Sequence, residues 1–447
     1  MSKYLNFVYE WLTPNGAMPN VPDFKDPEEL MKGCSRAGLG DATLNSGYIN
    51  PIDCYIVFEN NYRLYPAESL PNEKFIYEIN FSVNHYRKFK TTTFDINKGF
   101  LNDCLLRPAI LGRIRNKQAY LYISTAVESD VEDHLFERMH TYFKHMGIPL
   151  TQLIFVNNAA NGAELYNEFC QARDITDKMN IEFIPFLRIR GSMHKQMMQD
   201  NPDKKYKPGV KSRDFLCWNR MYHRHRLTWY TELAKRNLVN NCYISMANPG
   251  DWDTHPLKGT YREYMYNIVL NPIRHKNENV FDHTEEDIAH AESLLPLYVD
   301  SVDLSKYPVE SNPIDVEYYY NDSLIHLVTE TYFFERKIHI SEKTYKPITY
   351  HHPFIIIGAA GTLAELRRMG FKTFNDFWDE SYDECRDHVT RMKMVMDLVE
   401  SISKWSPKQK LKFSHDVADI VNYNYTHMLT MPNKELDCFL EKYGVSR

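Results

Sequence analysis

The chain has 447 residues, 43% hydrophobic and 25% charged, which is the makeup of a folded globular chain with two or three domains rather than a disordered one. A net charge of −6 excludes a global field that draws the chain to nucleic acid and leaves that task to local basic patches. No apolar run reaches the roughly 20 residues of a bilayer span, and "MSKYLNFVYEWLTPNG" lacks the apolar core and cleavage site of a signal peptide. The 8 Cys form no C-x-x-C pair and read as reduced thiols, so a cytoplasmic chain with no membrane span is expected.

Residues 1–110 have an irregular pattern, with strand-like runs at Cys54–Asn60 and Lys74–Val83 where β-branched and aromatic residues dominate. From about Gln118 a regular alternation begins. "AYLYIST" is a strand, "VEDHLFERMHTYFKHMG" a helix stopping at Gly147, "QLIFVNN" a strand, "AELYNEFCQARDITDKMN" a helix and "IEFIPFL" a strand. This is the βαβ signature of a parallel sheet, and the continuous apolar strands agree with burial on both faces. Met193–Asp214 is polar and Lys-rich and reads as a linker or loop.

A second series follows: strand "DFLCWN", helix His223–Asn237 and strand "NCYISM". Residues 247–320 show no clear pattern. Then come strand "SLIHLVTET", the short helix "SEKTYKPITY", strand "PFIIIG", a helix ending at Gly370, and helical stretches at about 384–404 and 407–429. The expectation is an α/β protein with two Rossmann-like domains: an N-terminal domain over 1–200, a C-terminal domain over 212–400, and helices over 401–447 packing back on them. Ligands in open α/β sheets bind at the C-terminal ends of strands, which places interest on the loops after "FLCW", "SLIHLVTET" and "HI" or "FIIIG".

Two constellations fall there. "WNRMYHRHR" (Trp218–Arg226) sits where a strand gives way to a helix. Cations at a helix N-terminus oppose the dipole unless an anion is close, so Arg220, Arg224 and Arg226 mark either a phosphate site or a solvated basic turn. In "HISEKTYKPITY", Ser341 is a suitable N-cap and Glu342 suits a first turn, whereas Lys343 does not. Lys343 could face a phosphate, Glu342 could accept hydrogen bonds from vicinal hydroxyls and Tyr345 could cover a ring; equally, the pair caps a helix and Lys343 is solvated. "DWD" (Asp251–Asp253) has metal-ligand spacing of the commonest kind, and His351 and His352, with no third ligand nearby, read as structural. Lys204, Lys205, Lys207 and Lys211 could touch a polyanion or be ordinary loop charges. Dinucleotide, Walker A and nucleophile-elbow motifs are missing from the sequence.

Read in order, "FLCWNRMYHRHR" and "VTETYFFERKIHISEKTYKPITYHHPFIIIG" resemble the donor half of GT-B sugar-nucleotide glycosyltransferases, the fucosyltransferase-like group in particular. "LAELRRMGFKTFNDFWDESYDE" is similar to bacteriophage-encoded glycosyltransferases, and the resemblance spans about 212–395. It implies a GT-B-like fold with two domains facing across a cleft, the donor on the C-terminal one and the acceptor on the N-terminal one. By position, Asn219, Arg220, Arg224, Arg226 and Ser341 belong to the donor site. Arg224 or Arg226 and Lys343 would hold the diphosphate, with Lys343 also catalytic. Glu342 would take hydroxyls, Tyr345 would lie near the nucleotide, and Glu330 would face the donor sugar. Glu128 and Asp130, after "AYLYIST", are general-base candidates by their place at a strand end. The resemblance implies no bound metal and no tightly held cofactor, a GDP- or UDP-sugar donor, and a hydroxyl acceptor on a glycan, a small molecule or a hydroxymethylated base in phage DNA. For a phage protein the compartment would be the host cytoplasm. The other class kept open is a non-catalytic viral structural or scaffold protein on a transferase-like fold.

Overall fold

The computed structural model describes residues 3–9, 12–13, 16–17, 62–66, 69–80, 108–124, 131–185, 205–219, 222–246, 260–270, 281–295, 297 and 316–446. The chain forms two compact units: Met1–Ser192 with Pro432–Arg447, and Met193–Met431.

The first unit is built on β1 (Lys3–Tyr9), β2 (Tyr62–Pro66), β3 (Phe75–Asn80), β4 (Ala119–Ser124), β5 (Leu153–Asn157) and β6 (Asn180–Phe183). The strands β1, β3, β4, β5 and β6 lie side by side in that order, all parallel, and β2 also pairs with β1. The helices are α1 (Pro108–Arg115), α2 (Asp133–His145) and α3 (Gly162–Gln171). In α2 the buried Leu135, Phe136, Met139, Tyr142 and Phe143 recur at helical spacing, and Gly147 takes the left-handed conformation (φ 65°) that ends it. The run at Lys74–Val83 yields β3, and that at Cys54–Asn60 lies outside the described residues.

The second unit holds β7 (Arg213–Asn219), α4 (Arg224–Lys235), β8 (Cys242–Met246), α5 (Glu285–Ser293), α6 (Val316–Asp322), β9 (Ser323–Thr329), α7 (Glu342–Thr349), β10 (Phe354–Ile357), α8 (Thr362–Arg368), α9 (His388–Ser403), α10 (Pro407–Asp416) and α11 (Ala418–Thr430). Its sheet runs β8-β7-β9-β10, every pair parallel. Every residue of β9 and of β10 is buried, as expected for strands covered on both faces. Both units are thus parallel α/β layers, as the βαβ rhythm foretold. The unpatterned stretch contains α5, which starts with a capping box between Thr284 and Asp287. The stretch read as one helix over 407–429 breaks at Val417, which serves as C-cap of α10 and N-cap of α11.

Past Met431 the chain returns to the first unit. There α12 (Lys434–Tyr443) lays Leu436, Phe439 and Tyr443 against Leu5, Phe7 and Tyr122, and β11 (Val445–Ser446) pairs antiparallel with β1.

Candidate functional site

In the second sheet the chain steps from β7 outward to β8 and then resumes on the other side of β7 with β9. The connections leaving β7 and β9 therefore diverge, and this switch point is where an open α/β sheet forms its ligand crevice. The two strand ends are tied together: Thr329 Oγ1 donates to Asn219 Oδ1 at 2.7 Å, with Asn219 buried.

Glu330 follows directly. It is 0% exposed, and its carboxylate accepts from Ser341 N (3.1 Å), Ser341 Oγ (2.6 Å), Thr344 Oγ1 (2.5 Å) and Thr331 N (3.2 Å). Four protein donors fill the acceptor sites of a carboxylate. Glu330, the residue expected to face a donor sugar, clamps the start of α7 through these bonds. Its backbone carbonyl accepts from His225 Nε2 at 2.8 Å, which joins α4 to the same point. The His225 ring lies nearly parallel to Phe333, and burial, reinforced by the charges of Arg226 and His223, drives its pKa well below the usual range. His225 is thus a neutral Nε2–H donor, as its carbonyl partner requires.

Two arginines in the first turn of α4 divide the work. Arg226 is buried and donates from Nη2 to the Thr329 carbonyl at 3.1 Å. Burial lowers its pKa to about 10 against the opposing pull of Glu330, so it remains a cation at neutral pH, sealed behind the crevice. Arg224 is only half-buried, its guanidinium 4.2 Å from the centre of the Phe334 ring. No acidic residue lies in the first turn of α4, and the N-cap His223 makes no side-chain cap.

At the head of α7, Ser341 Oγ accepts from Lys343 N at 3.3 Å. The Lys343 ammonium meets Glu342 Oε1 at 2.7 Å and the hydroxyls of Thr331 and Ser341, each at 3.4 Å. Its side chain remains 30% exposed and that of Glu342 41%, so both reach solvent. Burial raises the Glu342 pKa, but the Lys343 charge outweighs it and the net value lies below the usual one. Tyr345, expected beside a nucleotide, is 1% exposed and packs against Phe371.

The loop after β9 is held by a residue that no sequence pattern singles out. Arg391, in the first turn of α9, donates to the carbonyls of Gly358 (3.2 Å), Cys385 (2.6 Å) and Phe333, and rests on the Phe333 ring at 4.3 Å. His225, Thr329 and Thr344 were also missed as site-shaping residues. The "HRHR" run could have flagged His225, whereas the bonds of Arg391 go to backbone carbonyls, which no side-chain pattern reveals.

The structure thus gathers Asn219, Arg224, Arg226, Glu330, Ser341, Glu342 and Lys343 at one edge of one sheet. Arg220, Glu128, Asp130, Lys204 and the "DWD" triplet lie outside the described residues. His352 meets Ser323 Oγ at 3.3 Å, and His351 stacks on Tyr425 with ring centres 3.8 Å apart. Among the described residues, no group of three or more His, Cys, Asp or Glu could hold a metal ion.

Fold and site together define an α/β protein with cationic side chains gathered at a switch point of a parallel sheet. No protein-family model matches the chain, and no curated protein does. One solved structure similar to it is the crystal structure of the DNA-modifying enzyme beta-glucosyltransferase in the presence and absence of the substrate uridine diphosphoglucose. The identity is 11%, the TM-score 0.35, and 98% of each chain is covered.

Proposed function

We propose that the protein is a glycosyltransferase of the GT-B type that moves a sugar from a nucleoside diphosphate donor to an acceptor hydroxyl. The observation that carries this reading is the presence of two cations, the half-buried Arg224 and the partly exposed Lys343, on the first turns of α4 and α7, with Arg226 buried in the same turn as Arg224. Two helix starts with a cation on each suit a diphosphate, because backbone N–H groups, dipole ends and side-chain charge all favour the same anion.

In the reaction, the bond from the anomeric carbon to the β-phosphate oxygen breaks as the acceptor oxygen bonds to that carbon. Negative charge grows on the departing diphosphate, where Lys343 and Arg224 would neutralise it and Arg226 would supply a fixed field from a medium of low polarity. Glu342 suits the vicinal hydroxyls of the donor. Glu330 and Tyr345 contribute by fixing α7. If transfer inverts the anomeric centre, a general base takes the acceptor proton, and Glu128 and Asp130 are the candidates by their place in the sequence after a strand. The donor is a GDP- or UDP-sugar, with no tightly held cofactor, and the acceptor is a hydroxyl of a glycan, a small molecule or a hydroxymethylated DNA base. A DNA acceptor would require phosphate contacts and a base taken out of the stack.

A thermal-shift screen of GDP-, UDP-, dTDP- and CMP-sugars tests the reading, since a ligand bound to the folded state raises its melting temperature. One donor class is expected to stabilise the wild type and to lose its effect in Lys343→Ala. If no nucleotide sugar shifts the wild type at millimolar concentration, the enzyme reading fails and the scaffold reading stands. DNA affinity that falls steeply with salt selects the modified-base acceptor, and no DNA binding at low salt removes it.

A further inference from the structure

Within the second unit, α9 turns one face toward the segment that follows α8. Met394, Asp397, Leu398 and Ser401 share that face at helical spacing, Trp405 follows just past the end of α9, and opposite them stand Phe377, Trp378, Asp379 and Tyr382. Between the two walls lies a pocket of about 450 Å³, within the size range of small-molecule sites. It belongs to a different part of the unit from the crevice above: Asp397 on its wall binds Arg236 at 2.8 Å, twelve residues along from Arg224 and hence about 18 Å away at the rise of an α-helix.

We propose that this pocket binds a neutral sugar ring, such as one pyranose unit of a glycan. Its lining contains no Lys, Arg or His and two carboxylates, which disfavours a phosphate or any other anion. The half-buried faces of Phe377 and Trp405 suit the C–H face of a pyranose, whose hydrogens carry slight positive charge toward the negative face of the ring. A quaternary ammonium would also suit those faces. The indole N–H of Trp378 decides between them. Trp378 is 7% exposed, and its Nε1 is buried with no hydrogen-bond partner. A cation offers that donor nothing, whereas a sugar hydroxyl oxygen is an acceptor for it. The remaining polar groups accept hydroxyl hydrogens. Ser401 Oγ already donates to the Leu398 carbonyl at 2.7 Å, so its lone pairs face outward as acceptors. Asp397 is held ionised by Arg236 and Lys393, and Asp379 by Ser381.

The test is calorimetry or ligand-observed NMR on the full chain with methyl pyranosides, in the presence of saturating UDP, with tetramethylammonium as the competing probe. Millimolar binding of a pyranoside is expected, unchanged by UDP and by Lys343→Ala. It should be weakened at least about fivefold in Trp378→Phe, which keeps the ring and removes the N–H, and lost in Trp405→Ala. Should Trp405→Ala fail to fold, Trp378→Phe alone decides. The proposal is overturned if no pyranoside binds the wild type below about 50 mM. Displacement by UDP, a preference for tetramethylammonium, or wild-type affinity in Trp378→Phe overturns it as well. Pyranoside binding in a protein that ignores every nucleotide sugar would sink the transferase reading and leave this one intact.

Discussion

Lys343 and Glu330 are close in space and opposite in kind. Lys343 stands where a helix start disfavours a cation, and its ion pair with Glu342 is partly in solvent, where such pairs add little stability. Lys343→Ala should therefore leave the melting temperature within about 2 °C of wild type. By calorimetry it should weaken nucleotide-sugar binding about 10- to 100-fold, the loss of one charge-assisted hydrogen bond. Unchanged affinity would remove Lys343 from the diphosphate site. Glu330 has the reverse profile. In Glu330→Gln the amide NH₂ must confront Ser341 and Thr344 donors, so chemical denaturation should report a loss of about 2 kcal/mol or more. A stable Glu330→Gln protein would contradict its role as the clamp of α7. Lys343 was legible in the sequence because it breaks a helix rule. The true partners of Glu330 were not, because they lie 11 and 14 residues away across a loop that local patterns do not describe.

At the scale of elements, the starts of α4 and α7 are held by the end of β9, to which the end of β7 is tied through Asn219, and Arg391 ties the loop after β9 to the end of β10. Lys cannot reproduce a guanidinium fork that serves four carbonyls, those of Phe333, Gly358, Cys385 and Arg386. Arg391→Lys should thus lower both stability and nucleotide-sugar affinity, the latter by about tenfold, with the residual affinity no longer sensitive to Lys343→Ala. Full additivity of the two substitutions would show that Arg391 acts apart from the site. The strands and most helices were legible because buried parallel strands are unbroken apolar runs and helices repeat every three or four residues. The break at Val417 was not, because the helical pattern continues through it without Gly or Pro. Arg391 is read as an ordinary helix residue until the fold shows the carbonyls it faces.

For the whole molecule, acid should be the weak side. Burial lowers the pKa of His140, His283 and His339 to about 4 and that of His352 to about 3. These residues stay neutral in the folded chain and take up protons on unfolding below their unfolded value near 6.5. Their stability is complete above that value and is lost as pH falls from about 6.5 toward 4, by on the order of 1 kcal/mol or more for each. Melting temperature measured across that window should fall steeply; a flat or rising profile would refute the neutral assignment. Deleting Pro432–Arg447 should destabilise the first unit, whose apolar face loses Leu436, Phe439 and Tyr443. Proteolysis should then cut the first unit while the second persists, and equal protection of both would contradict it. The same segment has a consequence for how the chain is made. Because residues of one unit flank the other on both sides, synthesis from the N-terminus delivers every strand of the second unit before α12 and β11 exist. The unit begun first is therefore the one completed last. Until then the Leu5–Phe7–Tyr122 surface is a nascent-chain hazard of the kind that chaperones shield.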